Sequence, residues 1–597
     1  MSGIAGWVNY TKKLENSPIK AMIKQNAHPE SRGGEEGFWV SENVLLGASG
    51  ADQPAILKRG EAMVVLVFSG ELYNTADLAR ELTLAGYKTD ATSPLYTILH
   101  AYLHWGTAFL NKLNGVFSLA LRDAEKHRLI LARDRLGVKS LFYTPADDGI
   151  IFASSLKSLM AHPEVTPRLA ADGLAEIFAT GPGRTPGHGV LQGIHQLLPG
   201  SCLIFDQSGI KRHKYWKLAT FAHEEDFEET ASSVRELVFD ATRRQISPDA
   251  GFLLSGGLDS SALTAIAKLA LGRQVTTLSV DYRGNDKHFR PNAFQPNTDA
   301  SYVRRMTGFL KSDHETYVID TPELVESLYD AVRARDFPGM ADIDSAMLLF
   351  SRWIAKRTPI GITGECADEF FGGYPWFYRP GAEEMFPWAR NQAARMKLLS
   401  PDLISMIQPE EYLQARYEEA VSEIPFLPGE PEKDAKMRKI SYLTMTRWLP
   451  VLLERQDTMS RAAGLTLRAP FADYRIIEYM WNVPWEMKYR HSREKGLLRY
   501  ALTDILPDDV LWRKKSPFPK THNPNYIDAI RELAMITIDD PKSPLAPLIN
   551  KEEVRKFAQS LTRETDIPWF GQLMNAPQML AYLIQIDFWL REYGVGI

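Results

Sequence analysis

From the amino end, apolar positions come in short runs: "AMVVLVFSG" at 62–70, "VFSLALRD" at 116–123, "RLILARD" at 128–134, "GIIFASS" at 149–155 and "SCLIFD" at 201–206. Gly, Asp and Asn bound them, and runs of this length with such punctuation predict strands. Helical spacing is confined to a few stretches, such as Thr75–Ala85 and Leu95–Tyr102. The texture predicts stacked, mainly antiparallel sheets with helices outside. It changes after "HKYWKLATFAHEEDFEET". The acidic run Glu224 to Glu229 suits the solvated start of a helix, where carboxylates meet the positive end of the dipole. A helix over about 228–245 follows, then a strand, a Gly loop and another helix, and strand–loop–helix alternation passes into mostly helical sequence ending in "NAPQMLAYLIQIDFWLREY". No internal repeat or low-complexity tract breaks the pattern. The boundary falls near residues 208–225, giving expected domains over 1–210 and 225–597.

Composition narrows the class. A chain of 597 residues is too long for one core, and 45% hydrophobic with 24% charged residues is ordinary for a globular enzyme. A formal charge of −5 supplies no basic surface for nucleic acid. Two cysteines, Cys202 and Cys366, make no disulfide framework and suit a reducing compartment. There is no signal-peptide pattern at the start, and no apolar run approaches the roughly 20 residues that cross a bilayer. A cytoplasmic enzyme acting on small molecules, with no membrane or nucleic-acid partner, is expected; a homodimer is compatible.

The most informative stretch is "DAGFLLSGGLDSSALTAIAKLA". Phe252, Leu253 and Leu254 read as a buried parallel strand, Ser255-Gly256-Gly257 as a tight loop, and Asp259-Ser260-Ser261 as the opening of a helix. Glycines let backbone amides approach a phosphate, the helix start presents unpaired N–H groups, and the hydroxyls of Ser255, Ser260 and Ser261 add donors. The Gly-Lys-Ser/Thr ending of a Walker loop is absent. Strand, SGGLDSS and helix together are the signature of ATP pyrophosphatases, which cleave between the α and β phosphates. A second strand-to-loop unit, "TPIGITGECADEFFGGYPWF", places Glu365, Asp368 and Glu369 after the strand Ile360 to Ile362. Asp259 and Asp368 are hard oxygen donors suited to a Mg²⁺ that also holds ATP phosphates.

These motifs, with "LLERQDTMSRAAGLTLRAPFADYRIIEYMWNVPWEMKY", "REKGLLRYAL" and "RKKSPFPKTHNPNY", resemble the synthetase domain of glutamine-dependent asparagine synthetases and their β-lactam synthetase relatives. The first domain resembles the same family's glutaminase in outline. The resemblance implies an α/β protein of two domains: an N-terminal αββα sandwich of the Ntn-hydrolase type, then a parallel-sheet ATP-pyrophosphatase domain ending in helices. It implies ATP and Mg²⁺ as cofactors, with Asp259 and Asp368 at the metal. Leu254, Ser255, Gly256, Gly257, Asp259, Ser260, Ser261, Val280 and Gly364 are the implied nucleotide contacts. A substrate carboxylate attacks the α-phosphate, and an amine then displaces AMP. Lys495 matches the lysine that steadies developing charge, and Glu365 the carboxylate that orients or deprotonates the attacking nitrogen. Arg499, Lys514 and Lys515 stand open between phosphate contacts and solvated charges.

The glutaminase half departs from its relatives. A working glutaminase of this family begins Met-Cys-Gly, whereas this chain has Ser2, a hydroxyl far less readily activated than a thiol. The His-Arg-Gly-Pro-Asp stretch has become "SRGGEEG", and the segment that carries the Arg gripping the glutamine carboxylate is shortened to "LGASGADQP" with no Arg. The oxyanion Asn falls at Ser69, and the Asp that holds the glutamine amine at Pro94. With these lost together, an inactive glutaminase domain kept as a structural partner is expected; Ser2 as the nucleophile of another hydrolase is the lesser alternative. In the synthetase half, Thr458, Arg461 and Thr466 replace the family's usual residues at apparent substrate-side positions. Loss of glutamine-derived ammonia points to an enzyme whose substrate supplies its own amine, as in β-lactam synthetases of antibiotic or toxin biosynthesis. Glu365, where clavam-type and carbapenem-type enzymes carry Tyr, and a carboxy-terminal half nearer to ordinary asparagine synthetases, fit a tabtoxin-like variant. An ammonia-dependent asparagine or other primary-amide synthetase is the alternative, and a catalytically silent binding protein is opposed by the intact SGGLDSS.

Overall fold

The computed structural model describes residues 3–26, 36–59, 62–291, 297–562, 565 and 567–597. Two compact units divide the chain, one of residues 1–173, 186–217 and 596–597, the other of 174–185 and 218–595. In the first, twelve strands run in chain order as β1 (Ile4–Asn9), β2 (Glu36–Val40), β3 (Val44–Ser49), β4 (Ala55–Arg59), β5 (Ala62–Leu72), β6 (Gly115–Asp123), β7 (Arg128–Arg133), β8 (Phe142–Ala146), β9 (Gly149–Ala153), β10 (His195–Gln196), β11 (Ser201–Asp206) and β12 (Gly209–Lys214). They form two antiparallel six-stranded sheets, β10-β8-β9-β1-β3-β2 and β12-β11-β7-β6-β5-β4.

The period-2 alternation of β5 explains the layering. Val65 and Val67 join Ile4, Val44, Leu46 and Phe152 in a core between the sheets. Val64, Leu66 and Phe68 point the other way, against Leu78, Leu82, Ile98 and Leu99 on the helices Thr75–Leu84 and Pro94–Trp105. The helix Ser17–Asn26 buries Ile19, Met22 and Ile23, and Ile23 closes over Gly47 of β3 on the outer face of the first sheet. The result is the expected αββα sandwich. The hairpin β11–β12 pairs Ser201 with Lys214, so the first unit runs through Lys217 rather than ending at 210. Its last strand, "GIKRHK", is a largely exposed edge whose single strongly apolar residue is Ile210, which is why the hydrophobic pattern stopped short of it. Residues 174–185 pack with the second unit, a long-range assignment that local pattern cannot express.

In the second unit β13 (Gly251–Leu253), β14 (Thr276–Tyr282), β15 (Asp313–Ile319), β16 (Ile360–Ile362) and β17 (Thr466–Arg468) form a wholly parallel sheet ordered β15-β14-β13-β16-β17. The chain winds outward from β13 to one edge, then returns to the other side at β16. That reversal opens a crevice beyond the carboxyl ends of β13 and β16, where open α/β sheets bind ligands. The acidic start of the long helix Phe227–Gln245 is a capping box, with Asp226 accepting from the Glu229 N–H at 2.9 Å and Glu229 accepting from the Asp226 N–H at 3.1 Å. The last helix, Ala576–Glu592, is buried on nearly every face, matching its mostly apolar sequence. Among the described residues, no helix is long and apolar enough to cross a membrane.

Candidate functional site

The loop after β13 is built by its glycine and its serines. Gly256 has φ +66°, and a Cβ there would stand 2.6 Å from the Tyr302 carbonyl carbon, so only glycine fits. Ser260 Oγ accepts from the Ser255 N–H at 3.2 Å and lies 3.1 Å from Ser255 Oγ. The helix Leu258–Leu271 starts immediately, with Asp259 in its first turn. The loop after β16 meets it directly: a Cβ on Gly364 would come 2.8 Å from the Ser260 nitrogen. Both loops thus converge at the point where the strand order reverses.

Between them lies a charge cluster. Lys495 Nζ is 2.6 Å from Asp259 Oδ2 and 2.5 Å from Asp368 Oδ1, and its side chain is only 2% exposed. Lys515 pairs with the other Asp368 oxygen. Burial alone would raise the Asp368 carboxyl, but the two ammonium groups hold it down at about 2. One residue along, burial with Asp368 and Glu365 nearby pushes the Glu369 carboxyl up to about 8, and Tyr374 OH donates to it at 2.7 Å. Glu369 is therefore largely protonated at neutral pH and Asp368 ionised, two adjacent acids set apart by their partners. Lys495 (φ 56°) and Cys366 (φ 82°) both hold left-handed backbone conformations beside this cluster, strain of the kind that gathers at functional sites.

A cavity of about 370 Å³ opens here, lined among others by Leu254, Ser255, Asp259, Ser260, Val280, Gly364, Glu365, Asp368 and Lys515. Gly256 and Gly257 shape the loop without lining the cavity. Ser261 is completely buried and does not line it either, and its hydroxyl has no hydrogen-bond partner among the described residues. Thr458, Arg461 and Thr466 likewise lie off the cavity. The Thr458 hydroxyl turns back to the Glu454 carbonyl at 2.7 Å, since the helix Leu449–Ala462 and the turn before it show the cavity Trp448, Leu452 and Arg455 instead. Those three substitutions do not act by touching a ligand in this cavity.

Of the three cations left open by the sequence, Lys515 joins the site, Lys514 is exposed, and Arg499 is a buried framework residue. Arg499 donates to Glu494 and to the Leu511 carbonyl. Arg513 escaped the sequence reading. It donates to the Ser255 carbonyl at 3.1 Å and to Asp299 at 2.5 Å, with its guanidinium 4.0 Å from the centre of the Tyr302 ring. It thereby ties the 513–523 segment, which carries Lys515, to the loop after β13. "RKKSPF" held the signal, but three consecutive cations in any loop would look alike without the carboxylates they meet.

In the first unit, Ser2 and the "SRGGE" positions 31–35 lie outside the described residues. Ser69 is buried on β5, opposite Ser118 of β6. Pro94 is the first residue of the helix Pro94–Trp105, where its fixed φ suits a helix start but brings no carboxylate. Ser49, within the shortened segment, accepts from the Gly3 N–H at 2.8 Å and so anchors the chain start to β3.

Two family models cover the chain: Asparagine synthase over residues 233–591 and Glutamine amidotransferase domain over 1–216. A similar protein is asparagine synthetase [glutamine-hydrolyzing] 3 of Bacillus subtilis (strain 168), 41% identical and aligned over 100% of both chains. Asparagine synthetase [glutamine-hydrolyzing] 1 of the same organism is 26% identical over 87% of each. Among solved structures, the glutamine phosphoribosylpyrophosphate amidotransferase of B. subtilis with ADP and GMP covers 53% of this chain and 81% of its own, at 12% identity and a TM-score of 0.28, too loose a likeness to bear on the fold. The two models and the full-length relative agree with the two folds described above, and the chain belongs to the asparagine synthetase family as an ATP-dependent amide-forming ligase.

Proposed function

We propose that this enzyme adenylates a substrate carboxylate and closes an amide with an amine not drawn from glutamine. The amine is the substrate's own, and the product is a cyclic amide of the β-lactam type, of use in antibiotic or toxin biosynthesis. The observation that carries this reading is the contrast between the halves. The second unit brings Asp259, Asp368 and Lys515 together at one cavity, with the buried Lys495 paired to both carboxylates without lining the cavity itself. In the first unit Ser69 and Pro94 stand where the family's oxyanion and amine-binding side chains belong, and residues 46–54 contain no Arg.

In the first step a carboxylate oxygen bonds to the α-phosphorus and pyrophosphate leaves. In the second, the amine nitrogen bonds to the acyl carbon, AMP departs with the electron pair, and the nitrogen's proton passes to a base. Loop amides after β13, with Ser255 and Ser260, cradle the pyrophosphate, while Lys495 and Lys515 offset its charge. Glu365, partly exposed in the cavity, is placed to take the proton. Asp259 and Asp368 are the residues that would hold magnesium. Asp259 Oδ1 is buried with no hydrogen-bond partner among the described residues, an oxygen free to meet a hard cation were one bound. When bound, that ion neutralises triphosphate charge.

The 41% identical full-length relative supports a second reading, an asparagine synthetase that uses ammonia or glutamine. Mass analysis of the product separates the two. Incubation with ATP, Mg²⁺ and candidate amino-carboxylic acids, with and without ammonium, is expected to yield a product one water lighter than its substrate, formed without ammonium. Strict dependence on ammonium or glutamine, with aspartate preferred, would leave an asparagine synthetase.

A further inference from the structure

Arg455 sits 97% buried along the cavity and is poorly paired. Its side chain is 3% exposed, and the ion pair it makes, to Glu365 Oε1, is 3.6 Å long, beyond hydrogen-bonding distance. Among the described residues its guanidinium donates no hydrogen bond, and Nε is buried without a partner. A buried guanidinium ordinarily donates to carboxylates and carbonyls, as Arg499 and Arg513 do in the same unit. Arg455 therefore carries a charge-assisted bond that the protein itself does not complete.

Its neighbours repeat the pattern. Trp448, Leu452 and Arg455 lie on one face of their helix, and all three line the cavity. Gln572 lines it too, and its Nε2 is a second buried donor without an acceptor among the described residues. At Arg455 itself stand the Glu365 carboxylate and the Phe518 ring, whose centre is 5.8 Å from the guanidinium. Such surroundings fit a ligand that brings an anionic group to Arg455 and an amine nitrogen to Glu365.

We propose that Arg455 is the receptor for a second carboxylate of the substrate, one that is held and never adenylated. The assignment rests on the ligase reading above and makes Arg455 a specificity-determining residue. A fork of parallel N–H groups binds a carboxylate in two bonds, each worth about 1.5–3 kcal/mol when one or both partners are charged. A substrate lacking that group leaves the guanidinium buried and unpaired, which disfavours it further.

The test compares amino diacids with their counterparts lacking the α-carboxylate: aspartate with 3-aminopropanoate, glutamate with 4-aminobutanoate, 2-aminoadipate with 5-aminopentanoate. Affinity is read by calorimetry on the full-length protein with a non-hydrolysable ATP analogue, so the outcome does not depend on turnover. At least one diacid is expected to bind about 100-fold more tightly than its counterpart. Arg455→Met should shrink that ratio below about 10-fold, chiefly by weakening the diacid. Arg455→Lys, which keeps a cation in the same space, should retain part of the preference and covers the case in which the Met variant does not fold. Equal affinity within every pair, no binding by either member of any pair, or a preference untouched in both variants would overturn the assignment. ATP–pyrophosphate exchange with the same compounds reads the ligase proposal separately: preference without exchange would overturn that reading alone, and exchange without preference the receptor alone.

Discussion

At the scale of single residues, two carboxylates one position apart behave oppositely because of what each touches. Asp368 faces two lysines and stays ionised, whereas Glu369 faces a tyrosine and two acids and keeps its proton. Asp368→Asn keeps the shape but loses the charge that orders Lys495 and Lys515. ATP–pyrophosphate exchange is therefore expected to fall by roughly 10²–10³-fold or more. Near-normal exchange would remove Asp368 from the site. In the first unit, His162 is buried against Trp7, ring centres 4.4 Å apart, and burial pushes its pKa down to about 4. A depressed folded pKa means that the unfolded chain binds more protons between about 4 and 6.5. His162 thus contributes stability that is complete above pH 6.5 and lost as the pH falls to about 4, about 2 kcal/mol after allowance for screening. Urea titrations from pH 4 to 7 should show a shallower acid limb for His162→Gln, which keeps an acceptor for the Glu164 N–H.

At the scale of elements, the loop after β13, proposed above to hold the nucleotide, depends on one backbone conformation. Gly256→Ala would place a Cβ at φ +66° and against Tyr302, costing about 1–2 kcal/mol in the left-handed region before any clash. The loop is then expected to shift, weakening ATP binding at least about tenfold with helix content unchanged by circular dichroism. Gly308, inside the helix Asp299–Leu310 with open space around its Cβ position, is the control. There Ala should be neutral or stabilising by up to about 1 kcal/mol. Tight ATP binding by the Gly256 variant would show that the loop tolerates another path. Elements with strong periodicity or caps were legible beforehand: β11 spans 201–206 as its apolar run does, and the helix capped by Asp226 begins within a residue of its expected start. The edge strand β12 was not, because an exposed edge needs no apolar alternation.

At the scale of the whole molecule, one unit keeps its core, while on the function proposed above the glutaminase positions within it have changed. The two-sheet core of the first unit needs only alternating apolar residues, and these persist on both faces of β5. A glutaminase additionally needs a nucleophile, an oxyanion donor and two substrate anchors at once, and removing members of such a set is strongly non-additive. Ser2→Cys is therefore expected to leave glutamine hydrolysis undetected by coupled glutamate assay. Recovery of turnover from that one change would mean that other groups supply the missing functions.

By itself the sequence determined what depends on local order: two sheet-rich and helix-rich halves, the strand–SGGLDSS–helix loop, and the carboxylates after β16. Each is a contiguous pattern whose chemistry follows from spacing along the chain. Only the tertiary structure decided which distant residues complete the site. Lys495 reaches Asp259 across 236 positions, and Arg513 reaches Ser255 across 258. Helix phase alone turned Arg455 toward the cavity and Thr458 away from it. Those outcomes rest on parallel strand order and helix rotation, which bring side chains together through the packed core and leave no mark on the neighbouring sequence.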